Sequence, residues 1–224
     1  KFWKYIMTKE LTKRVITSLV LAIIVLNCLL INNHSWLVLL IVVSLISWLE
    51  FFNLTKKIYK KIFPKLTLLI LSFLVLLLFT YSAYKVRSEH GEIVIIFVLL
   101  ICIFSDIGGY VVGKSVGGKK LTKISPNKTV SGSVGSFLFS LFPIGIYGLF
   151  SIITNNDIFR FALENEVIIV CLTLSLTCQI GDLLISFFKR KAKVKDTGNI
   201  LPGHGGILDR IDGIIFAVII SYLI

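Results

Sequence analysis

Long apolar segments alternate with short polar segments along the whole chain. A helix needs roughly 20 mostly apolar residues to cross the hydrocarbon of a bilayer, so each long segment predicts a membrane-spanning helix. Seven segments fit: residues 15–31, 35–54, 66–84, 93–113, 130–153, 167–188 and 207–224. The tight hinge at Asn32, Asn33 and His34 predicts a helical hairpin for the first two. The expected fold is all-α, a polytopic integral membrane bundle of about seven transmembrane helices.

No repeat or low-complexity linker divides the sequence. We therefore predict one membrane domain over residues 1–224. Within it, residues 15–84 supply three N-terminal spans, and residues 93–224 supply the catalytic spans with their cytoplasmic loops. The first apolar run lacks a small-residue cleavage site, so we expect no cleavable signal peptide. The start residue is left open between Lys1 and Met7, the only methionine.

Composition agrees with a membrane protein. The chain is 56% hydrophobic and only 16% charged, with a mean hydropathy of +0.91, whereas soluble domains are about a quarter charged. The net charge of +12 favours basic cytoplasmic loops or an anionic partner. It does not favour nucleic acid, because the basic residues lie between spans. The four cysteines lie in apolar runs without metal-binding spacing, which is typical of buried small hydrophobes.

The basic residues indicate an orientation. Most of the 24 Lys and Arg residues lie in segments 1–14, 55–65, 114–128 and 189–206, which fall on one side if every span crosses. The positive-inside rule then places the N-terminus in the cytoplasm and the C-terminus outside. We expect a multi-pass protein of the plasma (inner) membrane whose active site faces the cytoplasm.

Acids inside the spans are the informative positions, because a carboxylate at the bilayer centre costs on the order of 2.5–3.5 kcal/mol. Asp106 shares one helical stripe with Gly109, Tyr110 and Gly113. The Gly-, Lys- and Ser-rich segment that follows offers N–H groups and ammonium charges, as phosphate sites do. No P-loop is present. A helix-packing role for Asp106 and a merely solvated basic loop therefore remain alternatives.

Two further stretches carry polar groups at helix ends. Asp182, Ser186 and Lys189 share one face at the end of the sixth span, although Lys189 could serve only as an interfacial anchor. Asp209 and Asp212 are neighbours in the first turn of the last helix, where the macrodipole also favours plain capping. Together with Asp106, these acids predict a divalent-cation site ringed by lysines, which suits a polyphosphate.

The residues near the C-terminus resemble the signature of the phosphatidate cytidylyltransferase (CDP-diacylglycerol synthase) family at every fixed position. The matching residues are Ser186, Lys189, Arg190, Lys195, Asp196, Gly198, Leu201, Pro202, His204, Gly205, Gly206, Asp209, Arg210 and Asp212. An upstream stretch is also similar, through Asp106, Tyr110, Gly113, Leu121, Ile124, Ser125, Pro126, Lys128, Thr129 and Gly132. Two positions depart from the family pattern. Gly109 stands where an Ala is expected, which is a harmless change. Ser131 stands where a Glu is expected, so any role of that Glu in the family cannot be carried over to this chain.

The resemblance implies transfer of the cytidylyl group of CTP to phosphatidate, giving CDP-diacylglycerol and pyrophosphate, with Mg²⁺. A second metal or a monovalent cation is left open. The expected partners are CTP, phosphatidate in the bilayer and membrane lipid, with a homodimer left open. The resemblance assigns metal binding to Asp182, Asp209 and Asp212, and catalysis also to Lys189 and His204. It assigns substrate binding to Asp106, Ser125, Lys128, Ser186, Arg190, Lys195, Asp196 and Arg210.

Other classes of protein fit the residues less well. A transporter also has intramembrane acids, but it should show midplane polar groups and repeat symmetry. The sequence lacks the Asp-Gly-x-x-Ala-Arg motif of CDP-alcohol phosphotransferases and the Asp-Asp-x-x-Asp clusters of prenyl transferases. A CTP-dependent lipid kinase is the closest alternative in chemistry.

Overall fold

The computed structural model describes residues 9–122, 124–155 and 157–224. The candidate start Met7 and the loop residue Lys123 lie outside these ranges. Eight α-helices and one 3₁₀ helix, Asp157–Leu163, are found in the described ranges. The α-helices are α1 Lys9–Ile31, α2 Asn33–Ile58, α3 Ile62–His90, α4 Glu92–Val116, α5 Val130–Phe139, α6 Phe142–Thr154, α7 Glu166–Lys191 and α8 Leu208–Leu223.

The predicted all-α membrane fold is confirmed. Six helical segments of the described chain are long and apolar enough to cross a membrane, with α5 and α6 together forming one of them. The last predicted span is α8, whose 16 residues rise about 24 Å at 1.5 Å per residue, short of a hydrocarbon core of about 30 Å. The cytoplasmic position of the N-terminus stays a prediction.

Local sequence explains two helix boundaries. The side chain of Asn32 accepts a 2.7 Å hydrogen bond from the Ser35 N–H and caps α2, which gives the predicted tight hinge. The predicted span 130–153 is interrupted between α5 and α6, because Pro143 lies in the first turn of α6 and has no N–H to continue the helix from α5.

The first of two compact units comprises Lys1–Tyr84 and Phe188–Ile211. Its helices are joined by polar contacts such as the 3.1 Å hydrogen bond from the Trp36 indole to the Ala83 carbonyl. The loop of residues 192–207, called here the signature loop, meets the N-terminal half of α1 where Thr17 donates to the Pro202 carbonyl at 3.1 Å. Lys191, just before the loop, donates to the Tyr59 hydroxyl, just after α2. These three basic regions share one end of the unit, as the charge pattern predicts.

The second unit comprises Lys85–Phe187 and Asp212–Ile224. Ser105 of α4 and Ser175 of α7 share a buried 2.8 Å hydrogen bond. The rings of Phe97, Tyr147 and Phe161 pack edge to face. That residues 1–224 form one membrane domain stays a prediction.

Candidate active site

A cavity of about 300 Å³ opens in the second unit between α4, the loop that follows it, α5 and α7. We call it the first cavity. It brings together four of the predicted site residues, Asp106, Ser125, Lys128 and Asp182. Residues from three separate regions of the sequence therefore share one concave surface, and it is rich in oxygen ligands.

Glycines let α4 and α5 approach closely beside the first cavity. A Cβ added at Gly108 would lie 2.4 Å from the Gly135 carbonyl oxygen, and one at Gly132 would lie 2.8 Å from the Gly109 carbonyl oxygen. A Cβ at Gly109 itself would lie 2.6 Å from the hydroxyl of Ser136, and its next neighbour, the Gly132 carbonyl oxygen, would be 3.7 Å away. Because that hydroxyl can rotate, the alanine of the family pattern would also fit at this position.

The loop before α5 delivers Lys128 to Asp182. A turn closes where the Lys128 N–H donates to the Ser125 carbonyl at 3.1 Å, with Pro126 at the turn position that favours proline. The Thr129 side chain then caps α5 by accepting from the Gly132 N–H at 3.0 Å. The Lys128 ammonium forms an ion pair with the Asp182 carboxylate, and both side chains are a little more than a quarter exposed.

Hydroxyl and amide groups surround this ion pair. Ser186, one turn further along α7, donates to Asp182 Oδ1 at 3.2 Å. Gln179, which also lines the first cavity, accepts a 2.6 Å hydrogen bond from Ser133 of α5. The predicted grouping of Ser186 with Asp182 is thus present, and the hydroxyl steadies one carboxylate oxygen.

Ser131, which stands where the family pattern has Glu, ties the loop to α5. Its hydroxyl hydrogen-bonds the Gly117 carbonyl and lies 3.0 Å from the Thr129 hydroxyl. The residue therefore joins the two ends of the loop that presents Lys128.

Lys189 and Asp209 form a second ion pair, in the first unit. Their charged atoms are 2.7 Å apart, and the two side chains are 12% and 3% exposed. Asp209 Oδ2 also accepts hydrogen bonds from the N–H groups of Thr197 and Gly206, at 2.7 and 3.0 Å, and lies 3.0 Å from the Thr197 hydroxyl. This carboxylate connects Thr197 with Gly206 across the signature loop.

Asp209 lies in the first turn of α8, outside the six apolar spans. Burial raises the pKa of Asp209, but hydrogen bonds from Lys189, Thr197 and Gly206 outweigh that effect and hold the pKa below its ordinary value. The carboxylate is therefore ionised at neutral pH.

Glu50 of α2, which belongs to none of the sequence motifs, also contacts the signature loop. It is 4% exposed and accepts hydrogen bonds from Thr197, Ile207 and Leu208. One signal was available, because a carboxylate inside an apolar span is costly and usually has partners.

A second cavity, of about 560 Å³, is lined by the signature loop and α1. Lys195, Asp196, His204 and Arg210, all predicted site residues, line it together with Arg14. His204 Nε2 lies 3.1 Å from the Ser18 hydroxyl. The Arg210 guanidinium donates to the His204 carbonyl, at 2.7 Å for its shorter bond. The basic side chains that line the second cavity suit a bound anion.

A family model described as the cytidylyltransferase family matches residues 60–224. That match covers well over half of the chain. The chain belongs to the cytidylyltransferase family. The resemblance predicted from the signature residues is thereby confirmed.

Curated relatives carry a more specific name. Proteins named phosphatidate cytidylyltransferase match from Bacillus subtilis (strain 168), 39% identical over 138 residues, and Rickettsia bellii (strain RML369-C), 45% identical over 123 residues. The first match covers 61% of this chain and 49% of the relative, and the second covers 53% and 52%. A third, from Staphylococcus saprophyticus, is 45% identical over 136 residues, which cover 60% of this chain and 49% of the relative. The chain thus spans about half the length of the curated relatives it matches.

The remaining predicted residues of this cytidylyltransferase-family chain lie elsewhere. Arg190 is exposed in the last turn of α7. Asp212 belongs to the second unit, where its Oδ1 accepts from the Gly213 N–H at 2.8 Å and its carbonyl packs against Gly181 of α7. It does not line the first cavity. Asp182 and Asp209 belong to different units, and the shared cation predicted for them stays a prediction.

The donor set of the first cavity suits a hard cation. Among the described residues, no group of three or more His, Cys, Asp or Glu side chains forms a metal centre by itself. Mg²⁺ is commonly held through one or two carboxylates together with substrate phosphates. Asp106 and Asp182, with the amide of Gln179, are oxygen ligands of the kind that ion prefers.

Proposed function

We propose that this chain transfers the cytidylyl group of CTP to phosphatidate, forming CDP-diacylglycerol and pyrophosphate. The observation that supports this proposal most is the first cavity, where Lys128 and the carboxylates of Asp106 and Asp182 lie beside a loop rich in N–H donors. Membership of the cytidylyltransferase family and the shared name of the relatives support this choice.

We assign the first cavity to the nucleotide. Its volume of about 300 Å³ lies at the lower end of the range for small-molecule sites. Lys128 is expected to turn from Asp182 towards triphosphate oxygens, because an ammonium adds charge stabilisation where negative charge builds up. Ser125 and Asn127, in the adjoining turn, offer hydrogen bonds to the ribose or the base.

The proposed reaction needs no strong general base. An oxygen of the phosphatidate phosphate, already anionic, attacks the α-phosphorus of CTP. The bond from that phosphorus to the oxygen bridging the α- and β-phosphates breaks, and the electron pair leaves with pyrophosphate. The main obstacle is repulsion between two polyanions, which basic side chains reduce.

We propose Mg²⁺ as the cofactor, with Asp182 as its principal ligand and Asp106 beside it. Mg²⁺ supplies charge neutralisation on the phosphates and orients them. The ligand roles predicted for Asp209 and Asp212 stay predictions. The Lys189–Asp209 pair keeps an ammonium close to the signature loop, where it can bind a phosphate oxygen.

The location follows from the two substrates. Phosphatidate keeps its acyl chains in the bilayer, whereas CTP is soluble in the cytoplasm, so we propose a plasma-membrane protein whose site opens to the cytoplasmic face. The second cavity, with Arg14, Lys195 and Arg210, supports phosphate binding at that face.

A dual-label assay tests the proposal. Purified protein in phosphatidate-containing nanodiscs with Mg²⁺ is given CTP labelled at the α- or the γ-phosphorus. Lipid-extractable label from α-labelled CTP alone is the expected result. Label from the γ-position would indicate the lipid-kinase alternative, and no lipid label at all would refute the proposed function.

A further inference from the structure

Glu50 is a buried carboxylate that the proposed chemistry does not use. It lies in α2, a membrane-spanning helix of the first unit, and its side chain is 4% exposed. A carboxylate in such a position is unfavourable unless hydrogen bonds or charges compensate for lost solvation. Its surroundings therefore indicate what it does.

All of its described hydrogen-bond partners belong to the signature loop or the start of α8. Glu50 Oε1 accepts from the Ile207 N–H at 3.0 Å, and Oε2 accepts from the Leu208 N–H at 2.9 Å. Oε2 also accepts from the Thr197 hydroxyl at 2.9 Å. The first N–H groups of a helix have no partner within the helix. Glu50 therefore acts as an N-cap for α8 supplied by another helix.

The loop backbone is shaped around this carboxylate. A Cβ added at Gly206 would lie 2.4 Å from Glu50 Oε2, and a Cβ at Gly198 would lie 2.6 Å from Oε1. Both positions belong to the family signature, and at both only hydrogen fits against the carboxylate. Contact with Glu50 therefore accounts for Gly198, and contact with Glu50 and the Thr197 hydroxyl accounts for Gly206.

Thr197 connects Glu50 to the candidate active site. Its hydroxyl lies 2.9 Å from Glu50 Oε2 and 3.0 Å from Asp209 Oδ2, and its N–H donates to the same Asp209 oxygen at 2.7 Å. Asp209 in turn holds Lys189 at 2.7 Å. A continuous chain of contacts thus runs from α2 to the Lys189 ammonium.

We propose that Glu50 is a positioning residue, which fixes the signature loop and thereby sets the place of Asp209 and Lys189 for the transfer reaction. The catalytic part of this proposal rests on the proposed function. Glu50 lies before residue 60, where the family match begins. The N-terminal helices then contribute directly to the geometry of the site and are more than membrane anchors.

The test uses Glu50→Gln in the full chain, with Ser47→Ala as the matched control. Ser47 is equally buried on α2, but it donates only within its own helix, to the Val43 carbonyl. Glutamine keeps the size of Glu50 and places an NH₂ donor where a carboxylate oxygen now accepts. Hydrogen exchange of the 197–210 peptide is measured in nanodiscs, together with kcat and KM for CTP.

We expect faster exchange confined to that peptide and a fall in kcat of roughly tenfold or more, since unpaired buried donors are costly. KM for CTP should change less. Thr197→Val should lower kcat similarly, Thr197→Ser should restore most of it, and the Glu50→Gln/Thr197→Val pair should be clearly less than additive.

Three outcomes would overturn the positioning role. One is that the exchange rate of the 197–210 peptide and kcat in Glu50→Gln both lie within twofold of their values in Ser47→Ala. Another is faster exchange throughout the chain, which would indicate a general structural role. The third is full additivity with Thr197→Val. If the parent protein proves inactive but Glu50→Gln still frees only the 197–210 peptide, the proposed function fails and the positioning of the loop stands.

Discussion

At the scale of single residues, the Lys128–Asp182 pair carries most of the chemical argument. Asp182 lies on a membrane-spanning helix, where an unpaired carboxylate is unfavourable. The ammonium of Lys128 and the hydroxyl of Ser186 compensate for lost solvation. Lys128 and Asp182 can exchange each other for a substrate or a metal ion, because their ion pair remains partly exposed within the first cavity.

Asp182→Asn should lower cytidylyl transfer by roughly 100-fold or more, because it removes a charge from the reacting centre without changing the size of the side chain. The matched control is Glu166→Gln, which removes an acid from the first turn of the same helix and should retain near-normal activity. Initial rates with α-labelled CTP measure the effect. Near-normal turnover of Asp182→Asn would remove Asp182 from the site.

Residues that carry motif information were predictable, whereas the partners of Glu50 were not. Asp106, Ser125, Lys128 and Asp182 lie in stretches with distinctive spacing, and the structure brings them to one cavity. Glu50 is a lone acid in an apolar span without neighbouring motif residues. Its partners are more than 140 positions away along the chain, so no local pattern could reveal them.

At the scale of helices, the close contact between α4 and α5 shapes the first cavity. The sequence predicted a stripe containing Gly109 and Gly113 on α4. It did not predict the facing glycines of α5, because which helix lies opposite is decided by tertiary packing. Pro143 likewise explains the break before α6, although the apolar pattern continues through it.

Gly108→Ala should destabilise the protein by roughly 1–3 kcal/mol, since the added methyl overlaps the backbone of α5. Gly145→Ala is the control, because a Cβ there meets nothing within 4 Å and alanine favours the helix. Thermal unfolding in a mild detergent measures both. An unchanged midpoint for Gly108→Ala would contradict the close packing of α4 against α5.

At the scale of the whole molecule, the charge pattern was the most informative feature of the sequence. It predicted that the basic segments share a side, and in the first unit α1, α2 and the signature loop meet at one end. The division into two compact units was not predictable, because it depends on long-range contacts between apolar helices whose surfaces look alike in sequence.

Cysteine labelling tests the predicted orientation. Asn199→Cys, in the signature loop, should react with an impermeant maleimide only in inside-out vesicles. His34→Cys, in the first turn of α2 beside the hinge, should react only in right-side-out vesicles. Both positions are exposed, and the parent protein with its native cysteines gives the background. The reverse pattern would place the active site on the outer face.

The central claim is that this chain by itself joins CMP to phosphatidate, and the stoichiometry of its products tests that claim most directly. Purified protein in nanodiscs is given phosphatidate, CTP and Mg²⁺, and CDP-diacylglycerol and pyrophosphate are both quantified over time. The predicted result is one pyrophosphate for each CDP-diacylglycerol, with both products missing when phosphatidate is left out. Release of CDP or inorganic phosphate without CDP-diacylglycerol would contradict the account.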